Sequence, residues 1–304
     1  RRIFYTMDIK NQISQEKTDL KEIWRRLRKR DFSGNEGLAI KNSIYQFMTT
    51  IVSKIGSLIF VIVLARLLMP ELFGLYNLAF STVVIFGTVA SLGVGETLVR
   101  FVSKLLAEKK QGKAKSYIFY LVKIRIFATV IMIFLLLAFS KFIANNYYQK
   151  PIFMALLAGT FYILFFQLSN FFQSLLEAIN YFKGIFFKEL IFQTIRVVFV
   201  LSLVIFLVRK GIPNESLLFF IIVGLSLAYL VSAIFMARSG AKRLPISKKD
   251  SITPAEKTRI KKFILATSFI ILSGVFFSYI DIIMLGHFVK AEFIGYYGAN
   301  SALI

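Results

Sequence analysis

Seven stretches of this chain, about 42–69, 75–100, 116–140, 151–178, 185–208, 215–237 and 262–286, are long and apolar enough to cross a lipid bilayer, and an eighth starts near 293. A bilayer core of about 30 Å calls for about 20 apolar residues in a helix. No water is available there to take up peptide N–H and C=O groups, so each segment must satisfy its own backbone, which an α-helix does. The composition follows from the stretches: 57% of the 304 residues are hydrophobic, mean hydropathy is +0.70, and 34 Phe are scattered along the chain. A soluble domain is not that apolar. The expected fold is all-α, a polytopic bundle of membrane helices.

Between the stretches the chain is basic, with a formal net charge of +22. Eleven Lys and Arg lie in 1–41, six in 100–115, two in 179–188 and nine in 238–262. The alternate loops hold none at 70–74, two at 141–150, two at 209–214 and one at 287–292, so 28 stand against 5. By the positive-inside rule the rich side, and with it the N-terminus, faces the cytoplasm. A multi-pass protein of the plasma or inner membrane is expected, its basic loops meeting anionic lipid head groups. A nucleic-acid partner is not expected, because the charge is dealt out between apolar runs rather than gathered in one patch.

The first forty residues lack the apolar core of a cleavable signal peptide. Leu20, Ile23, Trp24 and Leu27 fall at i, i+3, i+4 and i+7 among Lys21, Arg25, Arg26, Arg28, Lys29 and Arg30. That pattern predicts a basic amphipathic helix on the inner leaflet; a solvated tail is the plainer alternative. The sequence opens on Arg1 and Arg2 and ends inside an apolar run, so Met7 is read as a candidate start and the chain as part of a longer one.

An internal repeat organises the spans. Residues 64–76 read LARLLMPELFGLY and residues 285–297 read LGHFVKAEFIGYY. At a constant offset of 221, Leu64 matches Leu285, Glu71 matches Glu292, Gly74 matches Gly295 and Tyr76 matches Tyr297. An apolar run precedes and follows each copy, and an even number of spans separates them, so both copies enter the membrane from one side. Parallel repeats of this kind build two similar bundles about an axis along the membrane normal. The expected organisation is a basic head (1–41), a first six-helix bundle (42–240), a basic linker (241–262) and the start of a second bundle (263–304).

Polar residues inside the spans mark where function lies. An ionised side chain at the centre of a membrane helix costs about 2.5–3.5 kcal/mol on insertion scales, so it needs a partner or a wet cavity. Lys54, Lys123, Arg125, Glu177, Glu189, Arg196 and Asp281 sit at such depth, and Arg66 lies close enough to an end to snorkel. Helical spacing places Gln167, Asn170, Ser174 and Glu177 on one stripe, Glu189, Gln193 and Arg196 on another, Thr50, Lys54 and Ser57 on a third, and Thr267, Gly274, Ser278 and Asp281 on a fourth. Interhelical hydrogen bonding accounts for Ser and Thr in such places. Lys54, Arg125 and Arg196 are candidates for an anion-attracting surface. Asp281, Glu177 and Glu189 are candidates for cavity acids that couple an ion or pair with a cation. Glu96 and Arg100, at i and i+4, are expected to form an ion pair.

Enzyme chemistry is not legible. Cys is absent and His287 is the single His, so no thiol or metal centre is expected. No phosphate-binding loop, nucleophile elbow or paired-carboxylate motif occurs, and no cofactor is expected.

LARLLMPELFGLYNLAF followed by SLGVGETLVRFVSK resembles the opening helices of prokaryotic Wzx-type polysaccharide flippases, members of the multidrug/oligosaccharidyl-lipid/polysaccharide exporter superfamily. The matching positions are Arg66, Pro70, Glu71, Phe73, Gly74 and Tyr76, then Gly93, Leu98, Val99 and Arg100; YIDIIMLGHF, with Asp281, resembles the opening of the second half. The second copy departs from the pattern in carrying Ala291 where the first has Pro70. The resemblance implies two helical bundles facing a central cavity. It implies a non-enzymatic flippase that moves polyprenyl-diphosphate-linked oligosaccharide for surface polysaccharide or O-antigen export by alternating access. Membrane lipids and a glycan polymerase or glycosyltransferases are the implied partners. A drug or cation antiporter of the same superfamily, and a non-transporting scaffold for glycan assembly, are the alternatives.

Overall fold

The structure, a computed structural model, describes residues 34–241, 243–244 and 250–301. The amphipathic helix expected around Leu20–Leu27 lies outside them. Among the described residues every regular element is helical, so the all-α expectation holds. The chain divides into two units, Arg1–Met48 and Thr49–Ile304. The described part of the first, 34–48, is the start of one helix, and everything below concerns the second.

In chain order the helices are α1 (Gly34–Ser91), α2 (Val94–Ala107), α3 (Gln111–Lys141), α4 (Phe153–Ala178), α5 (Phe182–Thr194), α6 (Leu201–Arg209), α7 (Asn214–Ala241), α8 (Pro254–Phe288) and α9 (Ala291–Ser301). Two π-helical segments, Phe142–Tyr147 and Ile195–Val200, follow α3 and join α5 to α6. Among the described residues, six helical segments are long and apolar enough to span a membrane. The first of them, Gly37–Ala107, runs 71 residues and contains two of the sequence-read spans. At about 1.5 Å per residue it is far longer than one crossing, and it is broken at Met69, whose φ of 59° and ψ of 166° are not helical. The cause is Pro70, which lacks the N–H and disfavours helical geometry in the residue before it.

Met69 occupies a backbone region that L-residues enter at a cost of about 1–3 kcal/mol. Met69→Gly is therefore expected to stabilise the protein by about 1 kcal/mol. A thermal-unfolding assay in detergent checks this, and a lower midpoint would refute it. The second break, between α1 and α2, has two consecutive left-handed residues, Leu92 (φ 45°) and Gly93 (φ 61°). Gly93 is needed twice over, because a Cβ there would also run into the Thr267 hydroxyl of α8.

The bundle is apolar outside as well as inside. Phe127 is 69% exposed, Ile270 73% and Phe277 76%, as expected of side chains whose solvent is lipid. The main core joins Phe60 and Leu64 of α1, Leu156 and Ile163 of α4, Val204 of α6 and Leu218 of α7. A second cluster, Val94 and Leu98 of α2, Leu121 of α3, Leu175 of α4 and Ile260 of α8, lies toward the basic loops. There Lys113 pairs with Glu256 at 2.9 Å, tying α3 to the first turn of α8. That turn is closed by a capping box in which Thr253 and Glu256 bond each other's backbones.

Candidate functional site

Polar groups that the apolar spans cannot leave bare are gathered into three places inside the bundle. The first is built around Arg196. It lies in the π-helical segment Ile195–Val200. Glu189 and Gln193 meet, the Gln193 Nε2 donating to Glu189 Oε1 at 2.8 Å. Like Gln193, which reaches Ser53, Arg196 faces α1, donating from one guanidinium nitrogen to Ser57 Oγ at 2.9 Å, with its Cζ 4.3 Å from the centre of the Phe60 ring. No carboxylate pairs with it among the described residues, and its Nε is buried without a hydrogen-bond partner. It borders a cavity of about 280 Å³ walled by Phe80, Tyr162, Phe166, Phe192, Tyr229 and Tyr279. The rings hold one another: Tyr229 meets Phe192 at 4.4 Å, Phe166 at 5.2 Å and Tyr162 at 5.4 Å.

The second place is built around Arg125, buried on α3. It donates to Gln167 Oε1 at 2.6 Å, and Gln167 in turn donates to the Gly87 carbonyl at 2.5 Å. Its Nε also lacks a partner. Beside it opens a polar cavity of about 310 Å³ lined by Ser91, Glu96, Asn170, Ser174 and Glu177, with Ile271 of α8 on the wall. The α4 stripe read from the sequence thus faces this cavity, except for Gln167, which is taken up by Arg125. Glu96 looks into the cavity, whereas Arg100, one turn on, leans across to α8 with its Cζ 4.6 Å from the Phe263 ring centre. The expected Glu96–Arg100 ion pair is therefore not formed. An exposed pair of that kind is worth little, and a ring face offers a comparable gain.

The third place is an ion pair. Lys188 and Glu189, both buried, meet at 3.2 Å. Lys188 also donates to Gln173 at 3.0 Å, and Gln193 reaches the Ser53 carbonyl at 3.4 Å. Glu189 is engaged by its own neighbour in the chain.

The remaining candidates stand apart. Lys54 is exposed at the flank of the α1 face that packs on α5, and has no ion-pair partner among the described residues. Asp281, on α8, is exposed and accepts a hydrogen bond from Tyr297 at 2.8 Å. Of the motif residues, Gly74 and Tyr76 are buried, with Tyr76 stacked between Phe73 and Phe80, while Arg66, Glu71 and Arg100 are exposed. The reading of the sequence missed Lys188, Gln173 and the aromatic walls. The signal for the walls was present in Tyr162 and Tyr229, phenols placed mid-span rather than at the interfacial ends where Tyr is common.

Long apolar helices around unpaired interior cations define a polytopic membrane protein with polar sites at membrane depth. The family model described as polysaccharide biosynthesis protein matches residues 39–303. The chain belongs to that family, the family of Wzx-type polysaccharide flippases which its motifs resemble. Searches of curated proteins and of solved structures find no match.

Proposed function

We propose that this protein flips a polyprenyl-diphosphate-linked oligosaccharide across the plasma or inner membrane for surface polysaccharide or O-antigen export, by alternating access and with its N-terminus in the cytoplasm. The observation that carries the reading is Arg196, a cation at membrane depth with no acid partner among the described residues, set against a cavity of aromatic walls. A guanidinium fork matches phosphate oxygens, and a low-dielectric wall strengthens that attraction. Flat aromatic faces suit the apolar faces of sugar rings and the prenyl chain next to the diphosphate. Arg125 and Lys54 add charge of the same sign. Glu177, facing Arg125 across the polar cavity, and Asp281 are the proposed coupling acids.

The family and the membrane helices support a transporter for polysaccharide biosynthesis. The substrate, the direction, and a glycan polymerase or glycosyltransferases as partners belong to this proposal. A bacterial strain lacking its own flippase but keeping its glycosyltransferases provides the test. Expression of this protein is expected to restore surface glycan and to clear the lipid-linked precursor from the inner leaflet. Precursor that stays put, with the protein present in the membrane, would reject the reading. Resistance to cationic drugs in the same cells would point to antiport instead.

A further inference from the structure

Between α3 and α4 a groove of about 270 Å³ opens on the outer flank of the bundle. Ile126 and Val130 of α3 and Leu164 and Leu168 of α4 line it, and all four are exposed, so the groove faces lipid. Arg125 lines it too, only 4% exposed, with Gln167 beside it. The polar groups of the groove are satisfied but for one. Thr129 donates its hydroxyl to the Arg125 carbonyl at 2.7 Å. Gln167 is held at both ends, accepting from Arg125 and donating to the Gly87 carbonyl. The Arg125 Nε has no hydrogen-bond partner, and no acid pairs with Arg125 among the described residues.

Arg125 lines the polar cavity of Glu96 and Asn170 as well. A Cβ on Gly95 of α2, which borders that cavity, would stand 3.8 Å from Arg125 Nη1. The side chain is therefore a partition, with a lipid-facing groove on one side and an interior cavity on the other. Phe166 is common in turn to the polar cavity and to the aromatic cavity of Arg196.

Depth and solvent decide what the groove can select. Arg125 lies nine residues into the apolar run that starts at Ser116. At 1.5 Å per residue that is roughly 14 Å, about the middle of a 30 Å core. A phospholipid keeps its phosphate at the edge of the core and brings only its chains to the groove. Lipid chains are as apolar as the leucines that line it, so such contact gains nothing over contact with other lipid. Selection must come from the one polar group left over. A long apolar chain that carries its anion on its own end meets both features, with the chain in the groove and the charge on the guanidinium. An ion at that depth needs a partner, and Arg125 is one.

We infer that the α3–α4 groove holds the chain of a polyprenyl diphosphate lipid, with the diphosphate on Arg125 at the border of the polar cavity. The inference rests on the proposed flippase reading and deepens it: the sugars occupy the interior cavities while the chain stays in contact with the bilayer.

The chain has no Cys, so a single introduced thiol can carry a photoreactive benzophenone. Ile126→Cys places it in the groove, and Phe127→Cys places it on the lipid-facing surface outside the groove. Each protein is reconstituted in vesicles of phosphatidylethanolamine and phosphatidylglycerol, given a trace of radiolabelled polyprenyl diphosphate, and irradiated. Ile126→Cys should take up about ten times more label than Phe127→Cys, within the reach of one charge-assisted contact. Arg125→Gln, which removes the charge, and Leu168→Trp, which fills the groove, should each abolish the preference. Leu168 lies on the exposed side, so its variant serves if Arg125→Gln fails to fold. Equal labelling of the two thiols would overturn the site, as would a preference that excess phosphatidylglycerol removes. Either result leaves the flippase reading to the complementation assay. A preference that survives Arg125→Gln in folded protein would overturn the placing of the diphosphate. The expected labelling from a protein that restores no export would uphold the site and sink the flippase reading.

Discussion

Arg196→Ala is expected to reduce export of lipid-linked glycan by about 100-fold while leaving the amount of protein in the membrane near the parent level. A charge-assisted contact to a phosphate in a desolvated site is worth about 3 kcal/mol, and each 1.4 kcal/mol is about a factor of ten. Among the described residues Arg196 carries no structural ion pair whose loss would unfold the bundle; it gives up one bond to Ser57 and its contact with Phe60. Arg196→Lys should recover little, because an ammonium keeps the charge but not the planar fork or the ring contact. Surface glycan measured in the complemented strain, with protein level as control, decides it. Normal export from Arg196→Ala would remove Arg196 from the path. Lys54→Ala, at an exposed position, is expected to act in the same direction and more weakly.

The largest effect on stability is expected at the Lys188–Glu189 pair. Glu189→Leu removes the carboxylate paired with a buried ammonium, leaving Gln173 as its hydrogen-bond acceptor and the Phe192 ring 5.8 Å away, a situation that costs about 3–5 kcal/mol. The thermal midpoint in detergent should fall by on the order of 10 °C. Replacing both partners, Lys188→Met with Glu189→Leu, should recover most of the loss, since apolar residues of similar volume substitute well for a buried pair. The double variant also separates two roles for Glu189. Normal export from it makes the carboxylate a structural partner of Lys188. Lost export at recovered stability makes it a participant in transport. If the single variant melts like the parent, the pair is not buried as described.

The helix that carries them also shows where reading the sequence stops. Periodicity places Glu189, Gln193 and Arg196 on one stripe, and the stripe is there: Gln193 bonds Glu189 and reaches Ser53 of α1, and Arg196 reaches Ser57 one turn on, past the start of the π-helical segment at Ile195. Lys188 was passed over because neighbours in sequence point to different sides of a helix, yet a long flexible side chain closes that gap when both are buried. Arg100 was assigned to Glu96 by helical spacing, but a ring on α8, distant in sequence, took it. By contrast, the α4 stripe ending at Glu177 was read well, because a stripe along one regular helix is a local property.

The all-α class, the long apolar runs and the repeated motif were determined by the sequence alone, as was a proline at 70 that a helix cannot carry through undisturbed, whereas the break at Leu92 and Gly93, inside the expected span 75–100, was not. Each feature so determined depends on residues close in the chain: backbone hydrogen bonds that must close within a segment, a proline that cannot continue one, and apolar runs of bilayer length. Which polar groups meet was decided only in three dimensions, where helices from distant parts of the chain share a limited interior. Arg196 finding Ser57, Arg125 finding Gln167, and Gly74 lying against Gly295 across 221 residues are outcomes of packing, and packing depends on how every helix fits every other.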